Sequence, residues 1–173
     1  MHTVDVGGRA FTVVSHAECP DLETAAQGED FLAQWPQFMF HDAVAAEHYP
    51  TMFARYPGFQ FYIQDDDGTV VVSGNSIPLA WNGTSDDLPT GWDDGLTRGA
   101  LGVLGGVEPN TLCAIQATLS ARFVGQGLGA MPVRAMRNLA LDAGFDALIA
   151  PVRPSYKARY PLTDIGRYAT WRR

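Results

Sequence analysis

Read for the alternation of apolar and polar positions, the chain divides into short β-type runs separated by helical ones. Residues 10–15 (AFTVVS) form an apolar run of strand length. Residues 21–35 (DLETAAQGEDFLAQW) predict a helix, with Asp21 as N-cap after Pro20, acids in the first turn and Pro36 as its stop or bend. Residues 42–55 (DAVAAEHYPTMFAR) predict a second helix, interrupted or restarted near Pro50. Residues 59–64 (FQFYIQ) and 69–73 (TVVVS) flank Asp65-Asp66-Asp67-Gly68, and an Asp-Gly pair between two β-rich runs predicts a hairpin. Its second strand runs on through residues 76–80.

Residues 82–110 are rich in Gly, Asp and Pro and read as a long excursion holding one short helix near 93–104. Residues 111–119 (TLCAIQATL) predict a buried strand. Leu128, Met131, Val133, Met136, Leu139 and Leu141 mark a helix over 127–143 that stops at Gly144. Residues 145–152 (FDALIAPV) predict a further apolar strand, and a last helix opens within 163–173 with Thr163 or Asp164 as cap.

Composition narrows the class. The 173 residues fit one domain with its own core, and 46% hydrophobic against 18% charged residues describes a globular chain rather than a disordered one. No apolar run approaches the roughly 20 residues that span a bilayer, and the N-terminus carries no secretory pattern. Cys19 and Cys113 stand alone without a C-x-x-C, which argues against a disulfide framework and against a zinc knuckle, so a cytoplasmic protein without a metal is expected. The net charge of −7 hides an asymmetry: residues 1–121 hold 16 acids and 3 bases, residues 122–173 hold 3 acids and 9 bases. The basic C-terminal third suits a compact anion such as a phosphate, while the long acidic part would repel duplex nucleic acid.

The segment that carries chemistry is Val124-Gly125-Gln126-Gly127-Leu128-Gly129-Ala130, which follows an apolar strand and opens a helix. Glycines let the backbone approach a ligand closely, and the first helical turn leaves N–H groups unpaired at the positive end of the helix dipole, so the segment can cradle an anion. A glycine-rich turn without a ligand is the plain alternative. Gly125-x-Gly127-x-x-Ala130 also has the form of the dinucleotide fingerprint. Against that, only 43 residues follow Ala130, Asp146 begins rather than ends the next strand, and a hairpin with helices precedes in place of βαβ units. No Gly-Lys-Ser/Thr follows, so this is not a Walker loop.

Residues 117–129 (ATLSARFVGQGLG) resemble the central strand and acyl-CoA pyrophosphate loop of the GNAT acyltransferases, with Phe123 where that family often has Tyr and Gly127-x-Gly129 at its two defining positions. The following helix, Ala143-Gly144-Phe145 and the strand after it continue the pattern, and the upstream order of strand, two helices and a hairpin agrees with it. The resemblance implies an α/β (α+β) fold with a mixed, mostly antiparallel central sheet flanked by helices, built as a single domain over 1–173. It implies an acyl-CoA-dependent N-acyltransferase that moves acetyl from acetyl-CoA to a small amine. Pantetheine would pair along residues 116–119, ending at Leu119. The N–H groups of Gln126, Gly127, Leu128, Gly129 and Ala130 would meet the pyrophosphate, and Arg122, Arg134 or Arg137 the 3′-phosphate.

Many members place a Glu base on the central strand, where this chain has Gln116. Its base would then come from His41, Asp42, Glu47 or His48, or from a water chain. A tyrosine near the last helix is the family's usual acid; Tyr156, Tyr160 and Tyr168 are the candidates, with Tyr160, before Pro161, assigned the role. Trp81, Trp92 and the acids Asp86, Asp87, Asp93 and Asp94 would roof the acceptor pocket, where negative charge suits a cationic amine, and Cys113 reads as core. Three departures stand out. Val124 replaces the usual Arg or Gln, Arg153-Pro154-Ser155-Tyr156 lacks the Asn common after the fifth strand, and the family's two last strands have no counterpart before Arg173. Either those strands are missing, or a homodimer partner or another chain supplies them, or the sequence is a piece of a longer one. The rival expectation is a non-catalytic acyl-CoA-binding or interaction module on a degenerate GNAT fold.

Overall fold

The computed structural model describes residues 2–152, 154, 156–160 and 162–171; Met1, Arg153, Ser155, Pro161, Arg172 and Arg173 lie outside them. The first element is a hairpin that the hydrophobic pattern does not predict. β1 (His2–Val6) turns through Gly7-Gly8 into β2 (Arg9–Ser15), with Val6 opposite Arg9. Both turn residues sit at positive φ, 64° and 81°, the geometry a two-residue hairpin loop demands and glycine supplies without strain.

Four more strands extend the sheet in chain order: β3 (Gln60–Gln64), β4 (Val70–Leu79), β5 (Thr111–Leu119) and β6 (Ala147–Ile149). Each neighbour pair is antiparallel except β5 with β6, which run parallel, so the sheet is mixed and mostly antiparallel as expected. β4 is buried at every position because strands flank it and helices cover both its faces. On one face α3 (Ala43–Arg55) and α4 (Trp92–Leu104) bury Met52, Leu96 and Ala100 against Ile77, Leu79, Cys113 and Ile115. On the other, α5 (Met131–Asp142) buries Met131, Ala135 and Met136 against Phe11, Val13, Phe61 and Ile63. Burying each of these large apolar side chains contributes about 1.5–3 kcal/mol.

The helices depart from the expected spans in instructive ways. The helix expected over 21–35 is two short ones, α1 (Leu22–Ala26) and α2 (Glu29–Leu32), because Gly28 between them adopts an extended ψ of 161°. Asp21 stands before α1 but its side chain makes no cap hydrogen bond. α3 runs unbroken through Pro50, where the sequence predicts an interruption; burial of His48 and Met52 on its inner face holds it together across the missing N–H. Asp42 caps it, accepting from the Ala45 N–H at 2.8 Å. The strand expected over 145–152 keeps only the three residues of β6, and Pro151 follows. The last helix is α6 (Ile165–Ala169), capped by Asp164.

Cys113 lies wholly inside the α3–α4 core and burial pushes its thiol up to about 12, whereas Cys19 is exposed. The native protein is therefore expected to release one equivalent of chromophore with an aromatic disulfide reagent, and two once denatured. Rapid reaction of both thiols in the native state would contradict this packing.

Candidate active site

The site begins with a fault in the sheet. Asn75 stands opposite Gln116 but Ser76 stands opposite Ala114, so Ile115 is an extra residue on β5 and bends that strand. β6 pairs only with Thr111, Leu112 and Cys113, so among the described residues the β5 edge from Ala114 onward has no strand beside it on that side. Chain after β6 veers off through Pro151 and Val152. The opening forms a cleft of about 960 Å³, walled by Ile115 to Leu119 on one side and by Pro151, Val152, Pro154 and Lys157 on the other. An unpaired strand edge in a cleft is a surface that an extended amide-bearing ligand can join as an added strand.

At the end of β5 the chain makes one 3₁₀ turn, Ala121–Phe123, then the glycine loop, then a second 3₁₀ turn, Leu128–Ala130, that leads into α5. Gly125 and Gly127 take φ of 85° and 77°. Among the described residues no protein carbonyl meets the N–H groups of Gly127, Leu128 or Gly129, as helix geometry requires of the positions before the first helical hydrogen bond. The Gln126 N–H instead turns back to the Phe123 carbonyl at 3.4 Å, and Ala130 falls inside the second turn. Leu128 is buried in the core beneath the loop and anchors it. The Gln126 side chain ties the loop to the N-terminal hairpin, accepting from Arg9 at 3.1 Å and donating to the Arg122 carbonyl at 3.0 Å. Of the bases assigned to a phosphate, Arg122 is paired with Asp30 at 2.6 Å, and Arg134 and Arg137 are exposed on α5; among the described residues the base lining the cleft is Lys157.

A second cavity, of about 230 Å³, lies between the sheet and the segment running from α1 to α3. Its floor is a row of polar side chains from three adjacent strands, Tyr62 on β3, Ser73 and Asn75 on β4, and Gln116 on β5. Trp35, Met39, Trp92 and Gln116 line both this cavity and the cleft, so the two spaces meet at Gln116. Trp92 is fixed there by its indole N–H, which donates to the carbonyl of the bulged Ile115 at 2.7 Å, and by stacking on Tyr49 with ring centres 6.1 Å apart. The Tyr49 hydroxyl donates to Gln116 Oε1 at 3.2 Å, and Gln116 Nε2 donates to Thr118 Oγ1 at 3.0 Å. Burial, with the nearby Asp42 charge, pushes the Tyr49 hydroxyl well above its ordinary value.

The remaining sequence candidates scatter. His41 and Glu47 are exposed, His48 is buried in α3, and Asp42 is committed to its cap while bordering the cleft. Tyr160 lines neither cavity; its ring packs edge-on to Trp171 at 4.9 Å and against Tyr168 at 5.8 Å. The acids expected to roof the acceptor pocket do not line it. Asp87 and Asp94 are drawn to Arg98 at 3.3 and 3.0 Å, Asp93 borders the cleft, and Trp81 donates its indole N–H to the Thr84 carbonyl. The carboxylate that does line the pocket is Glu23 of α1, which in the sequence looks only like a first-turn acid. Asp65, Asp66 and Asp67 bring carboxylate oxygens within 4.8 Å of one another at the exposed β3–β4 turn, outside the residues of either cavity. Among the described residues no helix is long and apolar enough to cross a membrane.

No protein-family model matches the chain. It is 30% identical over 175 aligned residues to the arginine N-acetyltransferase avaD of Aspergillus versicolor, a match covering 94% of this chain and 59% of that protein. The chain thus spans about three fifths of the length of that relative. Its fold is that of a GNAT-family acetyltransferase from Listeria monocytogenes, with a TM-score of 0.53 at 12% identity over 96% of this chain and 90% of that one. An aminoglycoside acetyltransferase from an uncultured soil sample aligns with a TM-score of 0.48 at 10% identity, over 92% and 86%. A β5 edge free for an extended ligand to pair with and a glycine loop leading into the next helix are the parts that the resemblance of residues 117–129 implies. Together with the structural match over nearly the whole chain, they show that this chain has the fold of a GNAT acetyltransferase.

Proposed function

We propose that the protein is an acyl-CoA-dependent N-acyltransferase, with the donor in the cleft beside β5 and an amine acceptor in the smaller cavity. The observation that carries the proposal is the shared wall: two spaces of different character open onto one side chain, Gln116, with Trp35, Met39 and Trp92 around it. The residues fit an acyl-CoA. The free edge of β5 up to Leu119 can pair with amides of an extended arm, and the N–H groups of Gly127, Leu128 and Gly129 can hold phosphate oxygens, with Gln126 and Ala130 completing the loop. Lys157 offers a charge at the cleft wall.

Acyl transfer needs an uncharged amine whose nitrogen bonds to the acyl carbon as the carbon–sulfur bond breaks and the amine proton passes towards the sulfur. Gln116 cannot take that proton. Its Oε1 accepts from Tyr49 and has a second lone pair to offer an amine N–H, which would aim the nitrogen's own lone pair at the cleft. Tyr49, held protonated by burial, fixes the amide in this orientation. A cytoplasmic setting accords with two free cysteines.

Calorimetry with acetyl-CoA, followed by a thiol-release assay over a panel of amines, tests the reading. The relative's acceptor makes L-arginine the first amine on that panel. Saturable binding and amine-dependent thiol release are expected. Binding without release from any amine would turn the protein into a non-catalytic acyl-CoA module, and absence of binding at millimolar acetyl-CoA would remove the donor site altogether.

A further inference from the structure

The acceptor cavity is chemically lopsided. Six aromatic rings line it, from Trp35, Phe40, Tyr49, Phe53, Tyr62 and Trp92, and among its lining residues the one charged group is the Glu23 carboxylate. Glu23 is on the wall that the donor cleft does not share. One of its oxygens accepts from Gln27 at 2.8 Å. The other stands 4.0 Å from the His16 ring, beyond hydrogen-bonding reach, and His16 in turn meets the Tyr62 hydroxyl at 3.0 Å. Glu23 is therefore associated with the β3 column of the sheet. Tyr62 is opposite Ser73, and Ser73 is opposite Thr118, so Gln116 and Thr118 lie two strands away on β5. Two strand spacings are about 10 Å.

We propose that this cavity selects an acceptor with two nitrogen groups: the reacting amine at Gln116 and a second, permanently cationic group, joined by a short aliphatic chain, held by Glu23 within the aromatic wall. The proposal rests on the acyl-transfer reading for which nitrogen reacts. The chemistry follows from what is present. A carboxylate that keeps one oxygen clear of hydrogen bonds can accept from a guanidinium or ammonium, and the faces of tryptophan and tyrosine attract the same cation. Glu23 keeps 40% of its side-chain surface exposed, so the carboxylate is hydrated enough to be ionised before the acceptor arrives. Its charge is felt across this wall, since after burial it is the next cause that raises the Tyr62 hydroxyl above its ordinary value. An amine with no second cation would leave the Glu23 charge to Gln27 and water.

The test compares agmatine with n-butylamine, which share a four-carbon chain and one amine but differ in the second cation. Titration monitored by the fluorescence of Trp35 and Trp92 reads binding without any donor present. In the unaltered protein agmatine is expected to bind about tenfold to a hundredfold more tightly than n-butylamine, the range a charge-assisted hydrogen-bonded pair supplies. Glu23→Gln keeps the side-chain volume and an oxygen for Gln27; it should erase most of that preference, agmatine losing at least about tenfold more affinity than n-butylamine, itself an ammonium ion near neutral pH, while acetyl-CoA binds as before. Equal binding of the two amines by the unaltered protein, an undiminished preference in Glu23→Gln, or a parallel loss of both amines would each overturn the proposal. Failure of acetyl-CoA to bind would instead strike the acyl-transfer reading, and is measured separately by calorimetry.

Discussion

Gly127→Val should lower the affinity for acetyl-CoA on the order of a hundredfold while leaving the protein folded. Gly127 holds φ at 77°, a region that a β-branched residue enters only at a cost of about 1–2 kcal/mol or more. A valine would relax by swinging φ negative, and the three adjoining N–H groups would then no longer converge on one anion. Charge-assisted hydrogen bonds of this kind contribute about 1.5–3 kcal/mol each, so losing even two of them accounts for the hundredfold. The surroundings argue against a general loss of structure, since a Cβ on Gly127 would meet no atom within 4 Å and Leu128 would still anchor the loop from below. Gly129→Ala separates the two effects. Its φ is not in the positive region and its surroundings are equally open, so a drop in affinity there reports a ligand lying against the loop rather than a bent backbone. Calorimetry and a thermal melt on both variants give the answer; full affinity in Gly127→Val would move the phosphate site off this loop.

That loop is legible in the sequence because everything it needs is local. Strand, glycines and helix follow each other within some twenty residues, and the physical demand for donors at a helix start can be read one residue at a time. β5 is legible for a related reason: a largely apolar, β-rich run begins after Pro109-Asn110 and ends before Ser120, so its ends in the sequence are its ends in the fold, Thr111 and Leu119. The DDDG hairpin and the extension of its second strand to Leu79 read equally well. β1 escapes notice although His2 to Val6 alternates and Gly7-Gly8 is a hairpin turn, because five residues at a terminus carry too little pattern to stand out.

The acceptor cavity is a different case. Glu23, Trp35, Tyr49, Asn75 and Gln116 come from a short helix, a connection, a long helix and two strands, and no spacing rule joins them. What brings them together is the stacking of α1–α3 over the β3–β5 face, which a pattern of apolar residues implies only coarsely. The same blindness explains Arg122. As a base two residues before the loop it reads as a phosphate ligand, but Asp30 neutralises it from another part of the chain. Acids 86 to 94 likewise read as a charged roof until Arg98, one turn after Asp94 on α4, gathers two of them. Charge runs reveal composition at a site only when their long-range partners are known.

The second large effect is expected at Gln60, a side chain with no exposed surface. It substitutes for the ladder where the sheet is faulted. Its Nε2 donates to the carbonyls of Tyr56 and Ser76, both at 2.9 Å, and its Oε1 accepts from Asn75 Nδ2 at 3.2 Å and the Ser76 N–H at 3.3 Å. Gln60→Leu fills the same space but takes a partner from four polar groups; the Tyr56 carbonyl keeps the Phe59 N–H, and the others cost about 1–3 kcal/mol for each one that finds no water. A net loss of about 3–6 kcal/mol is expected, which lowers the melting temperature by roughly 10 °C or more in a chain of this size. Because Asn75 also floors the acceptor cavity, what remains folded should bind amines more weakly than acetyl-CoA binding would suggest. Gln60→Glu gives a sharper test through its pH dependence. An ionised carboxylate there would face two carbonyl oxygens with no proton to offer them, so the folded state favours the neutral acid and holds its pKa above the unfolded value of about 4.3. A group raised in this way contributes its stability below the unfolded pKa and loses it as pH rises towards the folded one. Melts of the Gln60→Glu variant from about pH 4 to pH 8 should therefore fall steadily relative to the unaltered protein. Two curves running parallel across that range would mean that Gln60 does not bridge the bulge.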